Sequence, residues 1–171
     1  MAPSVTVAEW VAPPLEVQVT EIRSPGLCAL IAAPRLSDEF TGVHRTFLTS
    51  PHAKKISNAI LGRAKDSAIK IDMADSLGLG IGEGIETTIA ARFLYRPMWS
   101  VMTAGGIERF PVLAAIEHLE IFADNDLNNV GLKAAEKCRD RWQMAGAEVA
   151  IVMPPRKGAD IADYIFEQKV Y

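Results

Sequence analysis

The sequence predicts an α/β fold: a four-stranded parallel, Rossmann-like sheet with helices on both faces, preceded by a small β-rich lobe with one helix. Two observations carry this. From Leu77 onward, a strand-like run is followed by a helix-like run four times over, a pattern that implies parallel strands joined by right-handed crossovers. Before Leu77 the chain lacks that alternation and holds short β-type runs, turn residues and prolines. A third observation bears on function. Acidic residues recur just past the strand-like runs, and open parallel sheets build their sites at the carboxyl ends of their strands.

The elements follow in order. Residues 1–26 hold Pro3, Pro13, Pro14 and Pro25 and read as an arm or linker with at most an edge strand at Leu15–Val19. Residues 27–75 form the small lobe. "LCALIAA" (27–33) is apolar and strand-like, and Pro34 ends it. "GVHRTFLT" (42–49) alternates and carries β-branched and aromatic residues. A helix is predicted over 53–61, because Ile56, Ala59 and Ile60 give i, i+3, i+4 spacing and Gly62 sits where a C-cap glycine belongs. "SAIKID" (67–72) is a short strand. Residues 76–171 form the larger domain. Its strands are "LGLGIG" (77–82), "WSVMTA" (99–104), "LEIFAD" (119–124) and "EVAIVMP" (148–154). Its helices are predicted over 85–95, 111–117, 130–145 and 160–168. In the third, Ala135, Cys138 and Trp142 share a stripe that the basic residues mostly avoid.

Bulk properties narrow the classes. At 171 residues, 49% hydrophobic and 23% charged, the chain suits a globular protein with one domain and a small appendage. No apolar run approaches a membrane span of roughly 20 residues, and no secretory signal is visible, so a cytoplasmic protein without membrane partners is expected. Cys28 and Cys138 stand far apart with no CxxC and no Cys/His cluster, which predicts reduced thiols and no zinc. The net charge of −3 conceals a bias: residues 42–70 carry Arg45, Lys54, Lys55, Arg63, Lys65 and Lys70 against the single acid Asp66. Such asymmetry suits a phosphate-facing surface and also suits a solvated lysine-rich face.

The glycine-rich "SLGLGIGEGIETT" is not a dinucleotide fingerprint, because no register places G-x-G-x-x-G, and no P-loop lysine follows. The glycines allow a tight turn that presents Glu83 at the start of a helix, where it can also simply complement the helix dipole. Asp124 and Asp126 are separated by Asn125 alone, so at a strand end both carboxylates can face one point. Two charges roughly 4 Å apart repel by about 4 kcal/mol at an effective dielectric near 20. A proton, a basic partner or a cation must offset that, and Mg²⁺ suits such a carboxylate pair. Asp126 or Asn128 can alternatively cap the helix at 130–145. Asp160 and Asp163 follow the last strand; Asp160 is both a good N-cap and a further acid at the same sheet edge. Acids at several strand ends suggest metal-dependent phosphoryl transfer, with Glu83 able to move the proton.

Gly82-Glu83-Gly84, then Asp124-x-Asp126, then the small-residue helix of Gly131, Ala134 and Ala135, then "GAEVAIVMPPRKGADIADYI" occur in an order that resembles the Toprim domain of topoisomerases, bacterial-type primases and some nucleases. The lead-in "GVHRTFL…AKK…LG…AIKI" is similar to the primase-like Toprim proteins of phages and plasmids. The resemblance implies that Glu83 is the general acid/base, that Asp124 and Asp126 coordinate Mg²⁺ or Mn²⁺, that Asp160 and Asp163 serve a further metal, and that Glu86, one helical turn on, supports Glu83. Charge alone assigns Arg45, Lys54 and Lys55 to template or triphosphate phosphates. The activity implied is a primase-type nucleotidyltransferase using single-stranded DNA and nucleoside triphosphates. The alternatives are a Toprim nuclease and a non-catalytic module that binds a helicase or other replication protein. No zinc-ribbon ligands and no helicase P-loop occur in the sequence, so a minimal core, a fragment, or a protein working with a partner is expected.

Overall fold

The computed structural model describes residues 26–32, 40–49, 55–74 and 76–168. Residues 1–25, the edge strand expected at 15–19 and Lys54 lie outside them. The lobe is an antiparallel meander of β1 (Gly26–Ala32), β2 (Phe40–Leu48) and β3 (Lys55–Gly62), in that spatial order. The helix expected over 53–61 is therefore strand β3. Ile56 and Ile60 lie four apart, a spacing that fits one face of a helix and also one face of a strand. The ladder offered by β2, running from Gly42↔Gly62 to Phe47↔Ser57, decides between them. Gly62 does take the positive φ expected of it, +89°, but it ends a strand rather than a helix, and Arg63 N–H bonds Thr41 O at 2.8 Å at the open end of the β2–β3 ladder. Among the described residues of the lobe there is no helix.

The second sheet contains β4 (Ile69–Lys70), β5 (Gly78–Gly82), β6 (Met98–Ser100), β7 (His118–Phe122) and β8 (Glu148–Val152), in the order β4-β6-β5-β7-β8. The last four run parallel, and β4, expected in the lobe, pairs antiparallel with β6 as an edge strand. The helices are α1 (Ile85–Ala91), α2 (Ala104–Arg109), α3 (Val130–Met144) and α4 (Ile161–Gln168). Helix α2 lies upstream of the stretch expected at 111–117. Thr103 Oγ1 accepts the Gly106 N–H at 2.9 Å and starts the helix, and residues 111–113 run on without regular structure. Two consecutive glycines hide this helix from propensity, yet Gly106 is required because a Cβ there would overlap Val101 O.

Alternation along the strands divides the core. Leu79, Ile81, Leu119 and Ile121 meet α2 and α3 through Ile107, Ala135, Cys138 and Trp142. Met98 and Phe122 meet α1 and α4 through Ala90, Ala91, Ile161 and Ile165. Strand β5 turns Leu79 and Ile81 to one face and only glycine to the other. Side chains at Gly78, Gly80 and Gly82 would overlap Tyr95, Met98 and Thr88 respectively, so these glycines let the α1 layer lie against bare backbone. Phe110 stacks on Trp142 with ring centroids 5.9 Å apart. Cys138 is fully buried beside them, and burial pushes its thiol up to about 11 against the opposing pull of Arg141.

Asp72, just past β4, ties the edge of the sheet together. It receives Arg92 through two bonds of 2.6 and 3.0 Å and the Met98 N–H at 3.0 Å, and its carbonyl accepts the Trp99 indole N–H at 2.9 Å. Among the described residues no helix is long and apolar enough to cross a membrane.

Candidate functional site

From β5 the chain passes first to β6 on one side and then crosses to β7 on the other. Ligands of open α/β sheets bind where connections diverge in this way, outside the carboxyl ends of the strands. Glu83 follows β5 and Asp124 follows β7, the two strands flanking that point, and their ends are level because Gly82 pairs with Phe122.

Glu83 is fixed from two directions. Ser100, buried at the end of β6, donates its hydroxyl to Glu83 O at 3.3 Å. The Ala104 N–H bonds the Glu83 carboxylate and lowers its pKa, but burial outweighs this, and together with the Asp126 charge it leaves the group above the usual carboxylate range. Asp124 is pushed further, to about 6. Burial is the largest cause; the charges of Glu83, Asp160 and Asp126 add to it, and a hydrogen bond from Thr87 Oγ1, at 3.5 Å, opposes it. Asp126 behaves in the opposite way. It accepts N–H groups from Gly131 at 2.7 Å, Val130 at 3.1 Å and Asn128 at 2.9 Å, and these bonds, with Lys157 nearby, hold its carboxyl below the ordinary value. It thus caps α3, whose N-cap residue Asn129 is left-handed and makes no side-chain cap of its own. Gly131 permits the approach: a Cβ there would stand 2.7 Å from Asp124 O. Asp160 accepts the Asp163 N–H at 2.7 Å at the head of α4 while its charge still reaches Asp124.

Four carboxylates expected from the sequence, Glu83, Asp124, Asp126 and Asp160, therefore share one electrostatic field. Asp163 is exposed on the first turn of α4. Glu86 lies on α1 and pairs with Lys55 of the lobe at 3.0 Å. Arg45 lies on the face of β2 opposite the buried His44 and Thr46, with its guanidinium over Phe47. Three residues that hold the site went unremarked in the sequence. Thr87 occurs four residues after Glu83, a helical spacing that marks it only in hindsight. Ser100 has no sequence signal. Asn125 is more than a spacer: its side chain donates to Pro154 O at 2.8 Å and its backbone exchanges bonds with Gly158 and Ala159, which secures the loop carrying Asp160 to the strand carrying Asp124.

A family model described as the Toprim domain matches residues 78–169, more than half of the chain. The chain belongs to the Toprim family. The match begins at the first residue of β5 and takes in Glu83, Asp124, Asp126 and Asp160; the lobe and β4 precede it. No curated protein matches the chain. Toprim domains are commonly metal-dependent phosphoryl-transfer domains of primases, nucleases and topoisomerases, and typically bind Mg²⁺ through acidic residues.

The donor chemistry of this Toprim site fits a hard divalent ion. It consists of carboxylate oxygens, and Asp124 carries like-charge repulsion that a cation relieves. Among the described residues no three His, Cys, Asp or Glu side chains close on a single point. Mg²⁺ is an ion usually held by one or two carboxylates with water and substrate phosphate completing its shell.

Proposed function

We propose that this Toprim protein is a Mg²⁺- or Mn²⁺-dependent nucleotidyltransferase of the DNA-primase type, which makes short RNA on single-stranded DNA from nucleoside triphosphates. The observation that supports it most is Asp124, raised to about 6 by burial and by three neighbouring carboxylates at the switch point of the sheet. Beside that field lies a lobe whose Lys55 reaches α1.

Asp124 and Asp126 would hold the metal, with Asp160, and Asp163 from the turn beyond it, serving a further ion. A divalent cation bound there would neutralise phosphate charge and favour ionisation of the attacking hydroxyl. Glu83 takes the proton from the 3′-hydroxyl as the new O–P bond forms and pyrophosphate leaves; burial raises its pKa and makes it a stronger base than an ordinary carboxylate. Thr87 orients Asp124, and the Ala104 N–H orients Glu83. Lys55 and Glu86 join lobe to site, and Arg45, Lys54 and Lys55 meet the phosphates of template or triphosphate. A helicase or other replication protein is the partner such an activity would use in the cytoplasm.

Primer synthesis on a single-stranded template with Mn²⁺ is the test. Glu83→Gln and Asp124→Asn are expected to lower the rate by about 10²–10⁴-fold. Undiminished synthesis in either variant would overturn the proposal. Cleavage of labelled strands in Mn²⁺ without nucleotides would point instead to the nuclease. Failure to bind Mn²⁺ by calorimetry would leave the non-catalytic binding module.

A further inference from the structure

A crevice opens between the lobe and the segment that follows β6. Ile60 and Ala64 form one wall, Val101 and Met102 the other, and Phe110 lies beneath. We infer that this crevice seats one base of a single-stranded nucleic acid and that Lys65 and Arg109 at its rim hold the flanking phosphates. The inference rests on the proposed action on nucleic acid and names where the strand lies.

Size and chemistry select the occupant. The cavity measures about 200 Å³ and its exposed lining is mainly apolar. That is below the roughly 300–1,000 Å³ of sites that enclose whole drug-sized ligands, so it suits a single planar ring and not an entire nucleotide. The base of the crevice is stiff, because Phe110 is stacked flat on Trp142 and set edge-on to Trp99. Apolar contact to a base and cations along its backbone together hold single strands without sequence readout; here Ile60, Ala64, Val101 and Met102 supply the apolar contact, since the Phe110 ring is buried.

Charge continues outward from the crevice. An adjoining depression shares Asp66, Arg109 and Pro111 with it and adds Lys137 and Arg141. Asp66 accepts from Arg109 Nε at 3.2 Å and Glu108 from Lys137 at 2.9 Å, and with four basic residues (Lys65, Arg109, Lys137 and Arg141) against these two acids the track keeps a net positive charge. A polyanion fits this track.

Position ties the crevice to the chemistry. Residues 101–103 of its wall lead directly to Ala104, whose N–H bonds the Glu83 carboxylate. Met102 is held at φ 69°, a left-handed conformation uncommon for a long side chain. Its N–H is bonded by the Ser100 hydroxyl at 3.3 Å, and the same hydroxyl donates to Glu83 O.

The test uses the full chain in EDTA and a short fluorescein-labelled oligothymidylate read by anisotropy. A second strand carries one 2-aminopurine whose fluorescence reports stacking. Lys65→Ala combined with Arg109→Ala is expected to weaken binding about tenfold and to flatten the salt dependence by about 0.7 per lost phosphate contact. Ile60→Asp is expected to weaken binding about tenfold and to abolish the 2-aminopurine change. Both changes fall on exposed positions, and unchanged melting temperatures would show that the fold survives. Glu83→Gln is expected to bind the strand as the parent does while losing turnover. Normal binding in both crevice variants, with turnover still lost in Glu83→Gln, overturns the crevice and spares the proposed reaction; this is also the outcome if a protein segment occupies it. Lost binding in the crevice variants with turnover retained in Glu83→Gln keeps the crevice and removes the reaction. Weaker binding in Ile60→Asp with an unaltered 2-aminopurine response means that phosphates touch the rim but no base enters, and this too overturns the inference.

Discussion

Asp124 and Asp126 are two residues apart and have pKa values shifted in opposite directions, one raised by burial and like charge, the other lowered by three N–H groups at the head of α3. In the metal-free protein this has a sign that can be measured. Asp124 titrates near 6 when folded against an ordinary 3.8, so the folded state keeps a proton that the unfolded chain has released. Stability should therefore fall as pH rises from about 4 to about 6 and then level off, by about 1–3 kcal/mol. Asp124→Asn is expected to remove this slope and to raise the melting temperature at pH 8, and Mn²⁺ should do the same for the parent protein. Thermal melts across that pH range in EDTA check it; a flat profile in the parent would mean that the acids do not share a field. Glu83, Asp124, Asp126 and Asp160 were legible because acids beside apolar strand ends stand out against their surroundings. Thr87, Ser100 and Asn125 were not, because a hydroxyl or amide becomes informative only when its partner, distant in sequence, is known. For Asp126 the capping role and the site role were both readable, and the structure shows the capping bonds directly.

At the scale of elements, the four parallel strands and the helices α1, α3 and α4 were legible, since each strand is a short apolar run and α3 and α4 carry apolar stripes. Two failures have specific causes. Ile56 and Ile60 satisfy helix and strand spacing alike, and only the β2 ladder selects the strand. Helix α2 contains Gly105 and Gly106, which propensity counts against it, while its Thr103 cap and the close approach to Val101 require the second. The glycines of β5 suggest a tight turn with close backbone approach, and the close approach is what Gly78, Gly80 and Gly82 provide. Gly80→Ala would drive a methyl group into the Met98 sulfur, so a loss of about 1–3 kcal/mol is expected in urea unfolding. Gly146→Ala is a useful contrast. It meets no neighbouring atom, yet its φ of +91° is unfavourable to any Cβ, so a smaller loss, of about 1 kcal/mol, is expected from backbone strain alone.

Across the whole molecule, the Toprim match starts at Gly78, but the sheet does not end there. β4 extends it by one antiparallel strand, and Asp72 fastens Arg92, Met98 and Trp99. Asp72→Ala leaves a partly buried guanidinium and an N–H without their acceptor, so a loss of about 2–4 kcal/mol is expected by thermal melting. A chain begun at Gly78 loses the same anchor together with the lobe, and should melt lower still; equal stability would show that β4 and the lobe are dispensable to the sheet. That β4 joins the second sheet was not legible, since "SAIKID" gives no sign of which sheet its two paired residues will join.

The thiol in α3 offers a clock. Cys138 sits behind Trp142 with almost no thiolate at neutral pH, so an alkylating reagent can reach it only when that helix lifts from the sheet. The rate at which the Cys138 peptide gains mass in iodoacetamide thus counts openings of the layer that begins at the Asp126 cap. A ligand that grips the acids should slow that count, and peptide mass spectrometry would record its binding without any assay of turnover.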